Sequence, residues 1–263
     1  MELGEEIGRG ARSIVYAFGD DDALKLPNPD VPTSWIVEEH RLTGIVASCG
    51  VDVPARRRLV EVGGTTALAS ERIEGPSMWQ RLVAAPGDAA SLGAELAEVQ
   101  RRIAEAAPSF ALPSQRDRLV SKIESAARLH GAGLRRALRA IGDDDGPLVV
   151  CHGDLHPRNV IASPGGRTVV VDWFDVGRGR IEGEIARTAL VLEDVRDVGG
   201  RAEPQLASAW DVLAAAYLER ACAAAGIEPS QLAGWSIAQR VARLAEGFGV
   251  DRVDALSDEL ALT

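Results

Sequence analysis

Residues 150–160 read Val150-Cys151-His152-Gly153-Asp154-Leu155-His156-Pro157-Arg158-Asn159-Val160. An apolar run, Pro147-Leu148-Val149-Val150, leads into this stretch. A second, Thr168-Val169-Val170-Val171, follows a Pro164-Gly165-Gly166 turn and ends at Asp172-Trp173. The pattern is strand, tight loop, strand, turn, strand. It sets an Asp on the loop, an Asn five residues later and a second Asp at the end of the following strand. Asp154 can accept a hydrogen bond from a hydroxyl. Asn159 offers a neutral oxygen and Asp172 a charged one, both hard ligands suited to Mg2+. His152 and His156 are better placed to brace the loop through hydrogen bonds than to act as bases or metal ligands.

Toward the N-terminus the chain reads as a hairpin. Gly8-Arg9-Gly10-Ala11-Arg12-Ser13-Ile14-Val15 combines glycines, whose backbone N–H groups can approach phosphate oxygens, with an apolar run. Ile14 to Phe18 continue as a strand. No helix opens after the glycines, which disfavours a dinucleotide-binding unit. After the Gly19-Asp20-Asp21-Asp22 turn comes Ala23-Leu24-Lys25-Leu26, a strand with a charge inside it. Such a charge needs a partner. Of the 29 basic residues only Lys25 and Lys122 are lysine. Where arginine is the rule, a lysine marks a position suited to a compact point charge.

Pro27, Pro29 and Pro32 break the chain, and Thr33 or Ser34 caps a helix running to about Ser48. Glu38 and Glu39 are both candidate partners for Lys25. Gly63-Gly64 marks another hairpin. Ser77 to about Gly142 is read as helical, with apolar residues at helical spacing over 89–107 and 114–140. Asp143-Asp144-Asp145-Gly146 is a linker into the central stretch. Pro204 to Ala225 and Ser230 to Gly247 are two further amphipathic helices.

These features resemble the aminoglycoside phosphotransferase and choline kinase superfamily, small-molecule relatives of protein kinases. The loop follows H-G-D-x-H-x-x-N. Residues 8–15 follow the glycine-rich loop with Ser13 at the third glycine. Residues 172–190 are similar to D-W-x-x-x-G-x-G-x-P-x-x-D-x-A-R-T, with the proline missing and Glu184 at the usual Asp. The resemblance implies an α+β, bilobal protein-kinase-like fold. An antiparallel N-lobe with one helix (1–72) would bind nucleotide, and a mostly helical C-lobe (73–263) would carry the catalytic loop and the acceptor site. The implied cofactors are ATP and Mg2+. The implied roles are Asp154 in catalysis, Asn159 and Asp172 on the metal, and Gly8, Gly10, Ser13, Lys25 and Glu39 around the phosphates. Counting back from Gly50-Val51-Asp52-Val53-Pro54, which resembles the family's loop after this helix, favours Glu39 over Glu38. Backbone groups near Glu71 and Ile73 would hold adenine. Arg158 would reach a phosphate or point to solvent. Glu184 would brace the catalytic loop or face substrate. Glu182, Glu184 and Glu246 are the acidic candidates for an amine-rich acceptor.

Composition fits this reading. At 263 residues the chain can bury a full core as one large domain or two lobes. A net charge of −10 disfavours nucleic acid and suits a cationic small molecule, although bland compositional bias explains it as well. Three scattered cysteines disfavour a disulfide framework or a zinc site. No signal peptide and no membrane span are read, so the expected compartment is the cytoplasm; the expected state is a monomer or dimer. The expected activity is transfer of the ATP γ-phosphate to a small-molecule hydroxyl. An aminoglycoside or other antibiotic comes first, as resistance by inactivation. Choline-like amino alcohols, thiamine and sugars are alternatives. A pseudokinase that binds without turnover is the rival from another class. A protein kinase is disfavoured because residues 172–190 leave no room for a long activation segment.

Overall fold

The computed structural model describes residues 3–10, 12–141, 146–202, 204–248 and 253–262. Ala11 of the glycine-bearing turn and Asp143 to Asp145 of the expected linker lie outside the described residues. The chain forms two compact units. One comprises Met1–Gln80 and Pro157–Asp175; the other comprises Arg81–His156 and Val176–Thr263. Asn159 and Asp172 therefore belong to the same unit as Lys25.

In the first unit, strands β1 (Leu3–Arg9), β2 (Ser13–Phe18), β3 (Asp22–Pro27), β4 (Arg58–Val62) and β5 (Thr65–Glu71) form one antiparallel sheet in the order β1-β2-β3-β5-β4. Gly63 and Gly64 take positive φ of 58° and 81° in the β4–β5 turn, as a two-residue hairpin of matching twist requires. Phe18, Leu24, Ala67 and Ala69 form the sheet's buried face, with Leu26, Val60 and Val62 against them. Lys25 lies on the central strand, opposite Val15 on one side and Leu68 on the other. Helix α1 (Ser34–Ser48) buries Ile36, Glu39, Leu42, Thr43 and Val46, a single stripe at three- and four-residue spacing. Thr33 occupies its N-cap position without a side-chain cap bond. Glu39 is thus a carboxylate on a stripe otherwise made of Ile36, Leu42, Thr43 and Val46.

Strands β6 (Val149–Cys151), β7 (Val160–Ala162), β8 (Thr168–Val170) and β9 (Gly177–Gly179) are short, and β7 pairs with β8. That hairpin is tied to residues 75–79. The Ala162 N–H donates to the Pro76 carbonyl and the Trp79 N–H to the Pro157 carbonyl, both at 3.0 Å. A Cβ on Gly75 (φ +122°) would fall 2.0 Å from the Ala162 oxygen, so only glycine fits there.

Helix α2 (Met78–Ala84) precedes the helical unit. Its members are α3 (Ala89–Ala104), α4 (Gln115–His130), α5 (Ile181–Ala202), α6 (Ala207–Ala225), α7 (Ala233–Leu244) and α8 (Val253–Leu262), with β6 paired to β9. Several helices are shorter than the periodicity suggests. The expected 114–140 helix starts after Ser114, whose Oγ accepts from the Asp117 N–H, and stops at Gly131. Gly131 has φ +134°, and the chain continues as a 3-10 turn from Ala132 to Arg139. The 89–107 helix ends at Ala104, four residues before Pro108. Pro204 and Pro229 open 3-10 turns before α6 and α7. Gly226, left-handed at φ +67°, ends α6. The core of this unit gathers Leu119, Ile123, Leu134, Trp235, Ile237, Val241 and Leu244. Each such side chain contributes about 2 kcal/mol by leaving water. Among the described residues no helix is long and apolar enough to cross a membrane.

Candidate active site

Lys25 projects from β3 with its Nζ 2.8 Å from the carboxylate of Glu39 and 2.8 Å from Asp172 Oδ1. Burial works against the ammonium. The negative charges of Asp172 and Glu39 and their hydrogen bonds outweigh it, and its pKa rises above the ordinary lysine value. Lys25 is therefore a permanent cation holding two carboxylates. Glu38, the other candidate partner, pairs with Arg41 on the surface at 2.7 and 2.8 Å.

Asp172 has φ +67°, a left-handed conformation that costs a residue with a Cβ about 1 kcal/mol or more. The Lys25 bond fixes its side chain in that conformation. Asn159 precedes β7 and Asp172 follows β8 after one residue. The Val171 N–H donates to the Asn159 carbonyl at 3.0 Å. One hairpin therefore carries both oxygen-bearing side chains at the same end. The Asn159 side chain offers an amide oxygen and Asp172 a carboxylate, hard donors of the kind that would hold Mg2+.

The glycine-bearing turn is closed by its own backbone. Gly8 pairs with Val15, and the Gly10 N–H donates to the Ser13 carbonyl at 2.9 Å. Ser13 is buried at the start of β2. Arg12 at the turn's tip stacks over Trp35 (4.8 Å) and Phe174 (5.4 Å), rings that stack on each other at 4.9 Å, and its Nη1 lies 3.4 Å from Asp175. At the expected adenine stretch, Glu71 is spent inside the unit. Its N–H donates to the Ala55 carbonyl, while its carboxylate accepts from the Ala55 N–H and from Arg167. The Arg72 N–H donates to the Asp21 carbonyl. Arg158 stacks over Trp79 at 4.6 Å.

The second unit holds Asp154. Its N–H donates to His152 Nδ1 at 3.2 Å, and its Oδ2 lies 3.7 Å from His156 Nε2. Burial pushes its pKa up, but the His156 hydrogen bond and the charges of His156, Arg187 and His152 overcome that. The carboxyl stays well below the usual range. Gly153, at φ +79°, makes the turn before it.

Glu184 is fully buried on α5 and accepts the N–H groups of His152 (2.9 Å) and Gly153 (3.2 Å). The extra methylene relative to Asp is thereby accommodated. Burial first, then the nearby Asp154 charge, push its pKa up to about 7 against the two N–H bonds and Arg187. Three residues on, Arg187 Nε donates to the Gly153 carbonyl at 2.9 Å. The glutamates expected at an acceptor site are each engaged inside the unit. Glu182 pairs with Arg180 (2.7 Å), Glu184 holds the loop, and Glu246 takes Lys122 (2.6 Å), Arg187 (3.3 Å) and Arg243. Sequence reading overlooked Arg187, which stood in view within the A-R-T run, and the Arg12, Trp35 and Phe174 stack, which carried no sequence signal.

A five-stranded antiparallel sheet with one helix, a hairpin carrying Asn159 and Asp172, and a helical second unit define the kinase-like α+β class. The chain belongs to the phosphotransferase enzyme family, whose profile matches residues 4–235, and is a small-molecule phosphotransferase. Among solved structures it is similar to aminoglycoside-3'-phosphotransferase of type VIII (22% identity, 91% of this chain and 93% of that one, TM-score 0.59). It is likewise similar to choline kinase LicA from Streptococcus pneumoniae (15%, 100% and 94%, 0.62). A third is a thermostable mutant of aminoglycoside phosphotransferase APH(4)-Ia in its apo form (18%, 100% and 96%, 0.56). At these identities the likeness is one of fold. No curated protein matches the chain.

Proposed function

We propose that this protein moves the γ-phosphoryl group of ATP to a hydroxyl of a small molecule, with Mg2+. The observation that carries this reading is the Lys25 ammonium shared by Glu39 and Asp172, with Asn159 at the same end of the hairpin. Lys25 pairs the nucleotide's phosphates, and Glu39 fixes Lys25. Asn159 and Asp172 hold Mg2+, which neutralises charge on the phosphate oxygens when bound. The turn of Gly8, Gly10 and Ser13 lies along the phosphates, where small residues let a nucleotide approach the backbone. The Ile73 backbone serves adenine in place of Glu71, whose N–H is already used. Asp154 is an anion throughout the working pH range and accepts the hydrogen bond of the acceptor hydroxyl. The hydroxyl oxygen bonds the γ phosphorus, the bond to the β–γ bridging oxygen breaks, ADP departs, and the hydroxyl proton passes late to Asp154. Such transfer is loose, so aiming the hydroxyl matters more than basicity.

The proposed acceptor is an aminoglycoside or other antibiotic, modified in the cytoplasm as a route to resistance. Support comes from the chain's net charge of −10, and from similar structures described as ternary complexes with ADP and hygromycin B or with ATP and streptomycin. The likeness to a choline kinase favours amino alcohols as the second class. Transfer from γ-labelled ATP with Mg2+, across aminoglycosides, peptide antibiotics, choline, thiamine and sugars, tests the proposal. Asp154→Asn should lower transfer by about a thousandfold or more while nucleotide still binds. Undiminished transfer by that variant would refute the role of Asp154. ATP binding with no transfer to any acceptor would favour a binding protein.

A further inference from the structure

We propose that Arg187 is a positioning residue for Asp154, seated by Glu246 and, through Glu246, by Lys122. This rests on the role given to Asp154 above. The peptide joining Gly153 to Asp154 is held at both ends. Its carbonyl accepts from Arg187 Nε at 2.9 Å, and its N–H donates to His152 Nδ1 at 3.2 Å. With Gly153 at φ +79°, that peptide's orientation decides where the Asp154 side chain leaves the backbone. Arg187 is 5% exposed, a cost that a purely packing role would avoid by using an apolar residue. Its Nη2 reaches Glu246 at 3.3 Å, and its Nη1 is buried without a hydrogen-bond partner among the described residues. The guanidinium is thus anchored at two corners, and its unspent charge helps keep Asp154 ionised.

Glu246, in the turn after α7, gathers three cations. Arg187 comes from α5, Lys122 from α4 at 2.6 Å, and Arg243 from α7. Arg243 is itself tied to Asp194 of α5 at 2.6 Å. Two guanidinium forks already crowd this carboxylate. A compact ammonium fits as the third donor, which accounts for one of the chain's two lysines. Three helices therefore fix one carboxylate, and that carboxylate fixes the arginine behind the loop.

The test uses Arg187→Gln and Glu246→Gln in the full chain. Amide exchange of peptides spanning 150–156 reads the loop, and phosphate release from Mg·ATP to water reads the reaction without a known acceptor. Loop exchange should quicken about threefold or more, while exchange in β1 to β5 stays unchanged. Release at saturating ATP should fall about tenfold with KM for ATP unchanged, a split that general loosening would not give. Adding Arg187→Gln to Asp154→Asn should cost nothing further. Unchanged loop exchange, or a full additional loss on top of Asp154→Asn, overturns the proposal. Quickened exchange with Asp154→Asn fully active upholds the hold of Arg187 on the loop and removes the role of Asp154 instead. If Glu246→Gln folds poorly, Lys122→Met should show the same signs at smaller amplitude, and its failure to move the loop counts against the relay.

Discussion

Glu184 holds two backbone N–H groups yet sits where water cannot solvate its charge. Its pKa is raised from 4.5 to about 7, with burial as the main cause. The folded protein keeps the proton up to neutral pH, whereas the unfolded chain releases it near the ordinary value. Between those limits the folded state binds more protons, so stability falls as pH rises. The loss is on the order of 3 kcal/mol. Glu184→Gln keeps the shape and removes the ionisation. Urea midpoints should therefore drop less in the variant than in the parent between about pH 5 and pH 7.5. Equal drops would show that Glu184 is not the group responsible. At this scale the sequence was readable where chemistry and spacing are local, as with Asp154 and Asn159 on one loop. It was unreadable at Glu246, which stood as an acidic candidate for the acceptor because two of its three partners lie 59 and 124 residues away.

Elements were legible in kind more than in length. The sheet's hairpins announced themselves through Gly19 and Gly63-Gly64, and α1 through the prolines that precede it. The break at Gly131 did not, because helices tolerate an isolated glycine and periodicity is blind to φ. Nor did the contact between α3 and α6, where Gly93 is the point of closest approach. A Cβ there would lie 2.3 Å from the Leu213 carbonyl and 3.0 Å from the Tyr217 N–H nitrogen, both backbone atoms that cannot swing aside. Beside it Tyr217 donates to Gln100 Oε1 at 2.8 Å, and Gln100 reaches Thr188 at 3.4 Å, a buried polar link from α6 through α3 to α5. Gly93→Ala should raise helix propensity and still destabilise, by about 1–3 kcal/mol, because the helices must separate. A melting temperature equal to or above the parent's would show that the crossing relaxes at no cost.

For the molecule as a whole, chain order and unit membership part company. Residues 157–175 belong with the N-terminal sheet, although about eighty residues of the other unit come between. Fold class was legible through the family resemblance of residues 8–15, 150–160 and 172–190, which implied a bilobal α+β fold. This return of the chain was not, because it depends on backbone bonds such as those from Ala162 to Pro76 and from Trp79 to Pro157. A fragment of residues 1–80 should therefore show no cooperative melt. It would lack the β7–β8 hairpin and leave Lys25 with one carboxylate instead of two. A sharp transition in that fragment would mean the sheet and α1 suffice. The scarcity of lysine has a practical side. An acylating reagent selective for side-chain amines meets two targets in this chain, with side chains 17% and 33% exposed and both engaged by carboxylates. Acylation needs the neutral amine, which Lys25 does not offer while Asp172 and Glu39 hold it. Its modification, read by mass spectrometry against Lys122, would therefore gauge opening of the proposed nucleotide site, a probe built into the protein and needing no engineered label.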